Sequence, residues 1–418
     1  MVSRIKKRLN KISYNTHEKL QRVLRKSLSC GDNTIVRIKT QSCSSEMRST
    51  SYNFLSALTP PQKDFPVPSS LGFALVGCGM IARFHVQALR AIPGTHIAAL
   101  VSRSKANGQK LLDEMELPPC PIFATVDEAV KHPGVDAVII TTPSGAHLEP
   151  AKIAAAAGKH VVVEKPLEIT GERCEGIIEA CDKAGVKLCT IFPSRFGDAN
   201  MALKDAVIAG KFGRLTLGET TCKWWRSQAY YDEGGWKGTQ ALDGGGALMN
   251  QAIHNVDLLL WMMGDVTHVT GFTATLAHER IEVEDTAVAV LRFKSGALGV
   301  IQATTSVHPG YPKTIAIHGD KGSAVIEQDD VVKWDFTPET DADKATKVRF
   351  AAKVGASGGA ADPKAISFEG HRRQLDDFIA AIRSNGTPRV DGREGKKAVD
   401  LIRAIYESNA SGRVVEMR

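Results

Sequence analysis

The sequence predicts an α/β fold: a doubly wound parallel sheet over residues 71–193, followed by a strand-rich α/β domain over residues 194–418. Three observations carry this. From Leu71 onward, short apolar runs alternate with amphipathic stretches of helical length, the pattern of strands joined by crossover helices on both faces of a sheet. The first run ends in a glycine turn that opens a helix. After about residue 215 the strands come closer together, with Gly-containing turns between them.

In chain order, strands are expected at Leu71–Val76, Ile97–Val101, Ala137–Thr141, Val161–Glu164 and Lys187–Phe192. Helices are expected between them at Ile81–Arg90, Lys105–Glu116, Ala146–Ala157 and Gly171–Ala184. In the second half, Thr286–Phe293 and Ala297–Thr304 flank Lys294-Ser295-Gly296, and Thr314–His318 and Ser323–Gln328 flank Gly319-Asp320-Lys321-Gly322, two hairpin signals. Two closing helices, Arg372–Arg383 and Gly395–Glu407, are free to pack back on the first sheet.

Composition narrows the class. The 418 residues are 43% hydrophobic and 24% charged, ordinary for a soluble globular protein of two or three domains. No run approaches the ~18 apolar residues of a membrane span; the longest candidate, Val256–Met263, is interrupted by Asp257. No membrane association is expected. The net charge of +7 is unevenly placed. Residues 1–70 hold thirteen Lys and Arg against four Asp and Glu, whereas the rest of the chain holds 40 against 42. The main body therefore lacks the electrostatic footprint of a nucleic-acid binder.

Residues 1–70, with twelve serines, form a basic extension. Three readings stand: a disordered segment, a translation start at Met47 instead, or an acid-poor organelle-targeting peptide. None of the eight cysteines forms C-x-x-C and none sits with His at zinc-ligand spacing, so no metal is expected. Reduced thiols and a cytoplasmic setting are the expectation.

Gly77-x-Gly79-x-x-Ala82 follows the first strand and opens a helix through Met80 and Ile81. Gly77 permits the tight turn, Gly79 lets backbone approach a pyrophosphate, and the helix N-terminus offers N–H donors to it. About twenty residues on, an acidic side chain would bind the ribose 2′-hydroxyl of NAD. Ser102-Arg103-Ser104 stands there instead, and suits a 2′-phosphate. The cofactor expected is thus NAD(P), with NADP favoured; a solvated arginine at a strand end is the alternative. Thr141-Thr142-Pro143 closes the next strand on the same edge, where its side chains either meet the dinucleotide or cap a helix.

Val161-Val162-Val163 runs into Glu164-Lys165-Pro166 at the edge where open α/β sheets bind ligands. A lysine beside an oxidised nicotinamide feels the ring's positive charge, which suits it to proton chemistry. In isolation, a surface lysine ahead of a strand-ending proline reads the same way.

Together with Gly244-Gly245-Gly246-Ala247-Leu248-Met249-Asn250-Gln251-Ala252-Ile253-His254 and the ending Tyr406-Glu407-Ser408-Asn409-Ala410-Ser411-Gly412-Arg413, these motifs resemble the Gfo/Idh/MocA oxidoreductase family over about residues 71–418. The resemblance implies a Rossmann domain and a second domain on a large, mostly antiparallel, open-faced sheet that commonly forms a homodimer or homotetramer interface. It also implies that Lys165 orients the reacting groups while His254 acts as acid/base. If that segment is helical, Asn250 and His254, four apart, share a face, which makes Asn250 the expected orienting residue. Many relatives carry Asp there. Asp257 is a second candidate partner for His254, or else a helix-surface acid.

Trp224 to Gly238 concentrates aromatic and polar residues in a chain only 6% aromatic. Arg226, Tyr230, Tyr231 and Trp236, with Gln251 and His254, are the expected substrate contacts, interface packing being the alternative for the aromatics. The expected enzyme is an NAD(P)-dependent dehydrogenase or reductase acting on a secondary alcohol or ketone of a sugar, cyclitol or sugar nucleotide. Arg226 and Lys237 are candidate contacts for a nucleotide diphosphate. A glycoside hydrolase using transient oxidation by retained NAD and a non-catalytic dinucleotide-binding regulator are the competing expectations.

Overall fold

A computed structural model of the chain describes residues 70–233, 235–351 and 367–417. The basic extension expected over residues 1–70 lies outside them except for Ser70.

The first sheet is built from β1 (Leu71–Val76), β2 (Thr95–Val101), β3 (Ile122–Phe123), β4 (Ala137–Ile140), β5 (His160–Val163) and β6 (Leu188–Thr190). Its order is β3-β2-β1-β4-β5-β6, with every pairing parallel. All six residues of β1 are buried because both faces of the sheet are covered. Leu71, Phe73 and Leu75 feed one core, while Ala74 and Val76 feed the other. The crossovers are α1 (Met80–Arg90), α2 (Lys105–Glu114), α3 (Val126–Ala129), α4 (Leu148–Ala156) and α5 (Gly171–Ala184). Strand order reverses between β1 and β4, which opens a crevice at their carboxyl ends.

After α6 (Asp198–Ile208) comes the second sheet: β7 (Leu215–Lys223), then α7 (Gln228–Asp232) and α8 (Ile253–Met263), then β8 (Val266–Ala274), β9 (Thr286–Phe293), β10 (Leu298–Thr304), β11 (Thr314–Gly319), β12 (Gly322–Glu327) and β13 (Asp330–Phe336). Helices α9 (Asp341–Arg349), α10 (Glu369–Arg383) and α11 (Gly392–Ser411) follow, and β14 (Val415–Glu416) closes the edge. The order β13-β12-β11-β7-β10-β9-β8-β14 is antiparallel throughout except for the parallel pair β7–β10. Burial alternates along β9: Ala287, Ala289, Leu291 and Phe293 point inward, and Val288, Val290 and Arg292 point out. Helices α8 and α11 cover the inner face. Squeezed between sheet and helices, α8 is apolar nearly all round, which explains the long apolar run around Val256–Met263. No helix among the described residues is long and apolar enough to cross a membrane.

Helix α10 returns to the first sheet, where Leu375, Phe378, Ile379 and Ile382 join the core of Phe73 and Leu75. A buried ion pair ties the two sheets' elements together. Arg195, in the turn Pro193–Phe196 after β6, donates from Nε and Nη2 to the two Asp257 oxygens at 2.8 and 2.7 Å, and from Nη1 to Glu394 of α11 at 2.9 Å. This corrects the reading of Asp257 as a partner for His254: its carboxylate is wholly engaged by Arg195. Removing one member leaves the other charged and buried. Arg195→Met is therefore expected to cost about 3–5 kcal/mol in denaturant unfolding, and Arg195→Met/Asp257→Leu should recover most of that loss. Unchanged stability in the single variant, or no recovery in the double, would refute the assignment.

Candidate active site

The crevice at the carboxyl ends of β1, β4 and β5 opens into a cleft of about 2000 Å³. Its first wall is the glycine turn. Gly77 has φ +97°, and a Cβ there would meet the Thr141 carbonyl at 2.9 Å; the Thr141 hydroxyl donates to the Val76 and Gly77 carbonyls at 2.9 and 2.8 Å. Gly79 is the N-cap of α1, which has neither a side-chain cap nor an acidic residue in its first turn. A Cβ on Gly79 would meet nothing within 4 Å, so the helix N-terminus is open to the cleft. Unengaged N–H donors, a positive dipole end and space for an anion fit a dinucleotide pyrophosphate.

Met80, Ile81, Ser102, Arg103, Thr141, Thr142, Pro143, Glu164 and Lys165 line the same cleft; Pro166 does not. The Pro166 carbonyl instead contacts His147 Nδ1 at 2.9 Å, and His147 Nε2 reaches the Thr142 carbonyl at 3.0 Å, so this buried imidazole clamps the ends of β4 and β5 together. Ser104 caps α2 through the Asn107 N–H, and Ser102 donates to the Ser104 carbonyl.

Lys165 leaves the end of β5 and donates from Nζ to the Asn250 carbonyl at 2.7 Å, with Asn250 Oδ1 at 3.5 Å. Burial lowers its pKa, and Arg226 adds to the effect, while Glu164 and Asp243 oppose it. The Asn250 amide donates to Asp243 at 2.6 Å, and its Oδ1 accepts from Gln251 at 3.0 Å. Asn250 thus orients toward Lys165 and Asp243 rather than toward His254, a correction to its expected role. The helical spacing argument fails because the Asn250 side chain, in the π-helical turn Ala247–Ala252 that precedes α8, is held by Asp243 and Gln251. Gly246 and Leu248 N–H groups are both taken by the buried Glu284 carboxylate, at 2.9 and 2.8 Å, and Tyr406 donates to the same carboxylate at 3.0 Å.

His254 is half-buried in the site, its ring edge-on to Phe192 at 5.8 Å. Its Nδ1 has no hydrogen-bond partner among the described residues. Burial, reinforced by the charges of Lys165 and Lys313, holds its pKa well below the ordinary imidazole value. The neutral imidazole is therefore the favoured form. Burial pushes the Asp243 carboxyl up to about 6 against the opposing Gly238 and Asn250 hydrogen bonds.

Glu164 is engaged by two imidazoles. It meets His85 Nε2 at 2.8 Å and His371 Nε2 at 3.4 Å, and its second oxygen accepts the Lys165 N–H at 3.1 Å. These imidazoles hold it well below the carboxylate range despite its burial. The trio converges from α1, β5 and α10, within 4.8 Å, a grouping that chain spacing did not announce.

Among the expected substrate contacts, Arg226, Tyr230, Trp236, Gln251 and His254 line the cleft. Gln251 donates to the Tyr230 hydroxyl at 3.0 Å and accepts from Arg226 at 3.0 Å. Tyr231 does not line it: its hydroxyl bonds Thr305 at 2.9 Å and its ring packs on His278 at 4.8 Å, so its role is packing. Sequence reasoning missed Asp243, Glu284, His371 and Lys313. Asp243 alone carried a signal, a carboxylate abutting a run of three glycines.

Residues 71–192 match the model of the oxidoreductase family with an NAD-binding Rossmann fold, and residues 200–325 match that of the GFO/IDH/MocA C-terminal domain. Myo-inositol 2-dehydrogenase of Thermotoga maritima is 29% identical over 357 residues, spanning 82% of this chain and 97% of that protein. D-apiose dehydrogenase of Paraburkholderia graminis is 26% identical over 82% of this chain and 89% of its own length. The crystal structure of the WlbA dehydrogenase from Bordetella pertussis, in complex with NADH and UDP-GlcNAcA, superposes with a TM-score of 0.73 at 32% identity, covering 84% of this chain and 99% of that one.

Proposed function

The chain belongs to the Gfo/Idh/MocA oxidoreductase family, and on that premise we propose that it transfers a hydride between a nicotinamide dinucleotide and a secondary alcohol or ketone of a sugar, cyclitol or sugar nucleotide. One observation carries the reading: a single cleft is lined by the glycine turn, by Lys165 and His254, and by Arg226, Tyr230, Trp236 and Gln251. The Gly77–Gly79 turn and the α1 N-terminus would hold the pyrophosphate, with Thr141, Thr142 and Pro143 beside them. When bound, the nicotinamide supplies the two-electron acceptor or donor.

The chain's own residues handle the proton and the developing charge. His254, kept neutral by burial and by neighbouring cations, takes the hydroxyl proton on its imidazole during oxidation and returns it during reduction. Lys165, fixed on the Asn250 carbonyl, presents its ammonium to the developing alkoxide. Asp243 orients Asn250, and through it Lys165. Tyr230 and Trp236 offer ring faces for the C–H faces of a sugar.

Three finer readings accompany this. NADP is favoured, because exposed Arg103 and the Ser102 and Ser104 positions line the cleft at the end of β2, where no carboxylate does among the described residues. A homodimer or homotetramer through the outer face of the second sheet is supported by the exposure of Phe272, at 79%, together with Val288, Val290 and Leu298. The six described cysteines are free thiols, which supports a reducing, cytoplasmic setting.

The test is identification of any co-purified dinucleotide, then NADH and NADPH titrations and a sugar, cyclitol and sugar-nucleotide screen at 340 nm. Stoichiometric cofactor conversion is expected, with tighter binding of NADPH. Substrate hydrolysis without net cofactor consumption would replace the reading with the glycoside hydrolase. Cofactor binding with no turnover across the panel would replace it with the regulator.

A further inference from the structure

Lys165, Arg226, Lys237 and Lys313 all line the substrate-facing part of the cleft. The three lysines are held by neutral groups: Lys165 by the Asn250 carbonyl, Lys237 by the Tyr230 carbonyl at 3.2 Å, and Lys313 by the Ser194 hydroxyl at 3.1 Å. Lys237 Nζ also stands 3.9 Å from the centre of the Tyr230 ring. Elsewhere some inward cations pair with carboxylates, as with Arg195 and Asp257, Lys211 and Asp343, and Arg173 and Glu168, and others stand singly on backbone carbonyls, as Lys159 and Lys204 do; the cleft differs in gathering four cations together.

Carboxylates near these cations are mostly committed. Glu164 is held by His85 and His371. Asp198 and Glu369 pair with Arg373. Asp243 sits behind Asn250. Glu233 is exposed at the end of α7, and Asp329 and Asp330 stand at the β12–β13 turn. Burial disfavours the charge of Lys165 and Lys237; Glu164 and Asp243 for the first, and Glu233 and Asp243 for the second, act against it ahead of the repulsion from Arg226, whereas His254 is depressed after burial by Lys165 and Lys313.

Gathering like charges in a partly desolvated cleft is unfavourable unless an anion completes it. The dinucleotide phosphates have their own seat at the glycine turn, and an oxidised nicotinamide adds positive charge. We infer that the substrate itself carries an anionic group, a carboxylate or a phosphate, received by Lys313 and Lys237 with Arg226 while Tyr230 and Trp236 hold the sugar ring. The inference rests on the reading of the cleft as a sugar oxidoreductase site and narrows its substrate class. Lysines suit either anion as mobile point charges, and Arg226 adds a planar fork.

The experiment measures binding, so that it stands apart from turnover. NADH-loaded full-length protein is titrated calorimetrically with D-glucose, D-glucuronate and D-glucose 6-phosphate, then with UDP-glucose and UDP-glucuronate. D-Glucuronate or D-glucose 6-phosphate should bind tenfold or more tightly than neutral D-glucose, or UDP-glucuronate than UDP-glucose, and the preference should weaken with salt. The two glucuronate arms, with and without UDP, report a carboxylate, and the 6-phosphate arm reports a phosphate. Lys313→Gln and Lys237→Gln should each lower the favoured anion's affinity about ten- to a hundredfold, leaving NADH affinity and the neutral sugar's affinity within twofold. No preference in any pair, or a preference untouched in both variants, overturns the inference and leaves the oxidoreductase reading standing. Failure of NADH to bind in the preceding titration would instead overturn the dinucleotide reading.

Discussion

Lys165→Met is expected to lower kcat/KM by about a hundred- to a thousandfold, leaving NAD(P)H affinity and unfolding midpoint nearly unchanged. Methionine matches the stem in length and burial, so the substitution removes the ammonium rather than the packing. What is lost is a charge-assisted donor aimed where negative charge develops, and such donors are worth ~10²–10³ in rate. The Asn250 carbonyl loses its 2.7 Å partner as well, so the segment leading into His254 loses an anchor. Arginine should not rescue: its planar fork is broader than the single Nζ that the Asn250 carbonyl receives, and it is a poorer proton-transfer group at any accessible pH. Steady-state kinetics alongside a cofactor titration decide the matter. Turnover within tenfold of the parent would remove Lys165 from the chemistry.

That lysine was legible because parallel strands buried on both faces read as continuous apolar runs, and Val161–Val163 breaks off abruptly into Glu164-Lys165-Pro166. The glycine turn was legible for a related reason, since only strand, turn and helix in succession give Gly77 and Gly79 their meaning. The second sheet was legible only as hairpins. Its central pairing joins β7 to β10, some eighty residues apart in the chain, with β11 on the other side of β7, and local pattern carries no information about such closures.

The site's errors share one origin. Helical spacing placed Asn250 and Asp257 beside His254, but spacing describes neighbours along one helix and not across a packed interior. Asp257 is claimed by Arg195, sixty-two positions away in the chain, and Asn250, in the π-helical turn after the three glycines, is held by Asp243 and Gln251. Lys313 came to the cleft through the pairing of β11 with β7, and His371 through the return of α10. Tyr231 was separated from Tyr230 by their being adjacent, which sends one ring into the cleft and the other against His278.

Asparagine at position 250 makes physical sense once Asp243 is seen. The Asp243 oxygen lies 2.6 Å from the Asn250 amide nitrogen, a distance that two ionised carboxylates could not share. The amide donates to Asp243 and keeps its own oxygen for Lys165 and Gln251. The negative charge thus stands one step back from Lys165, on a buried carboxyl whose pKa burial raises to about 6.

This displacement makes the pH profile of His254→Gln the most discriminating measurement. Turnover should fall by ~10²–10⁴, the usual contribution of a positioned acid/base. In the parent, burial and the charges of Lys165 and Lys313 favour the neutral imidazole, so His254 remains a competent base until pH falls well below the ordinary histidine range. Asp243 behaves in the opposite sense: burial favours its neutral form, and it ionises only as pH rises through about 6. Above that point its carboxylate accepts the Asn250 amide fully and favours the Lys165 ammonium. The oxidation rate should therefore climb through about 6 and stay level until Lys165 loses its proton, earlier than an exposed lysine would because burial disfavours its charge. His254→Gln should keep the limb near 6 at a much reduced rate, whereas Asp243→Asn should lose that limb while retaining substantial turnover at high pH. A limb near 6 that vanishes in His254→Gln and survives in Asp243→Asn would show that the histidine itself titrates there, and with it the neutral-base mechanism would fall.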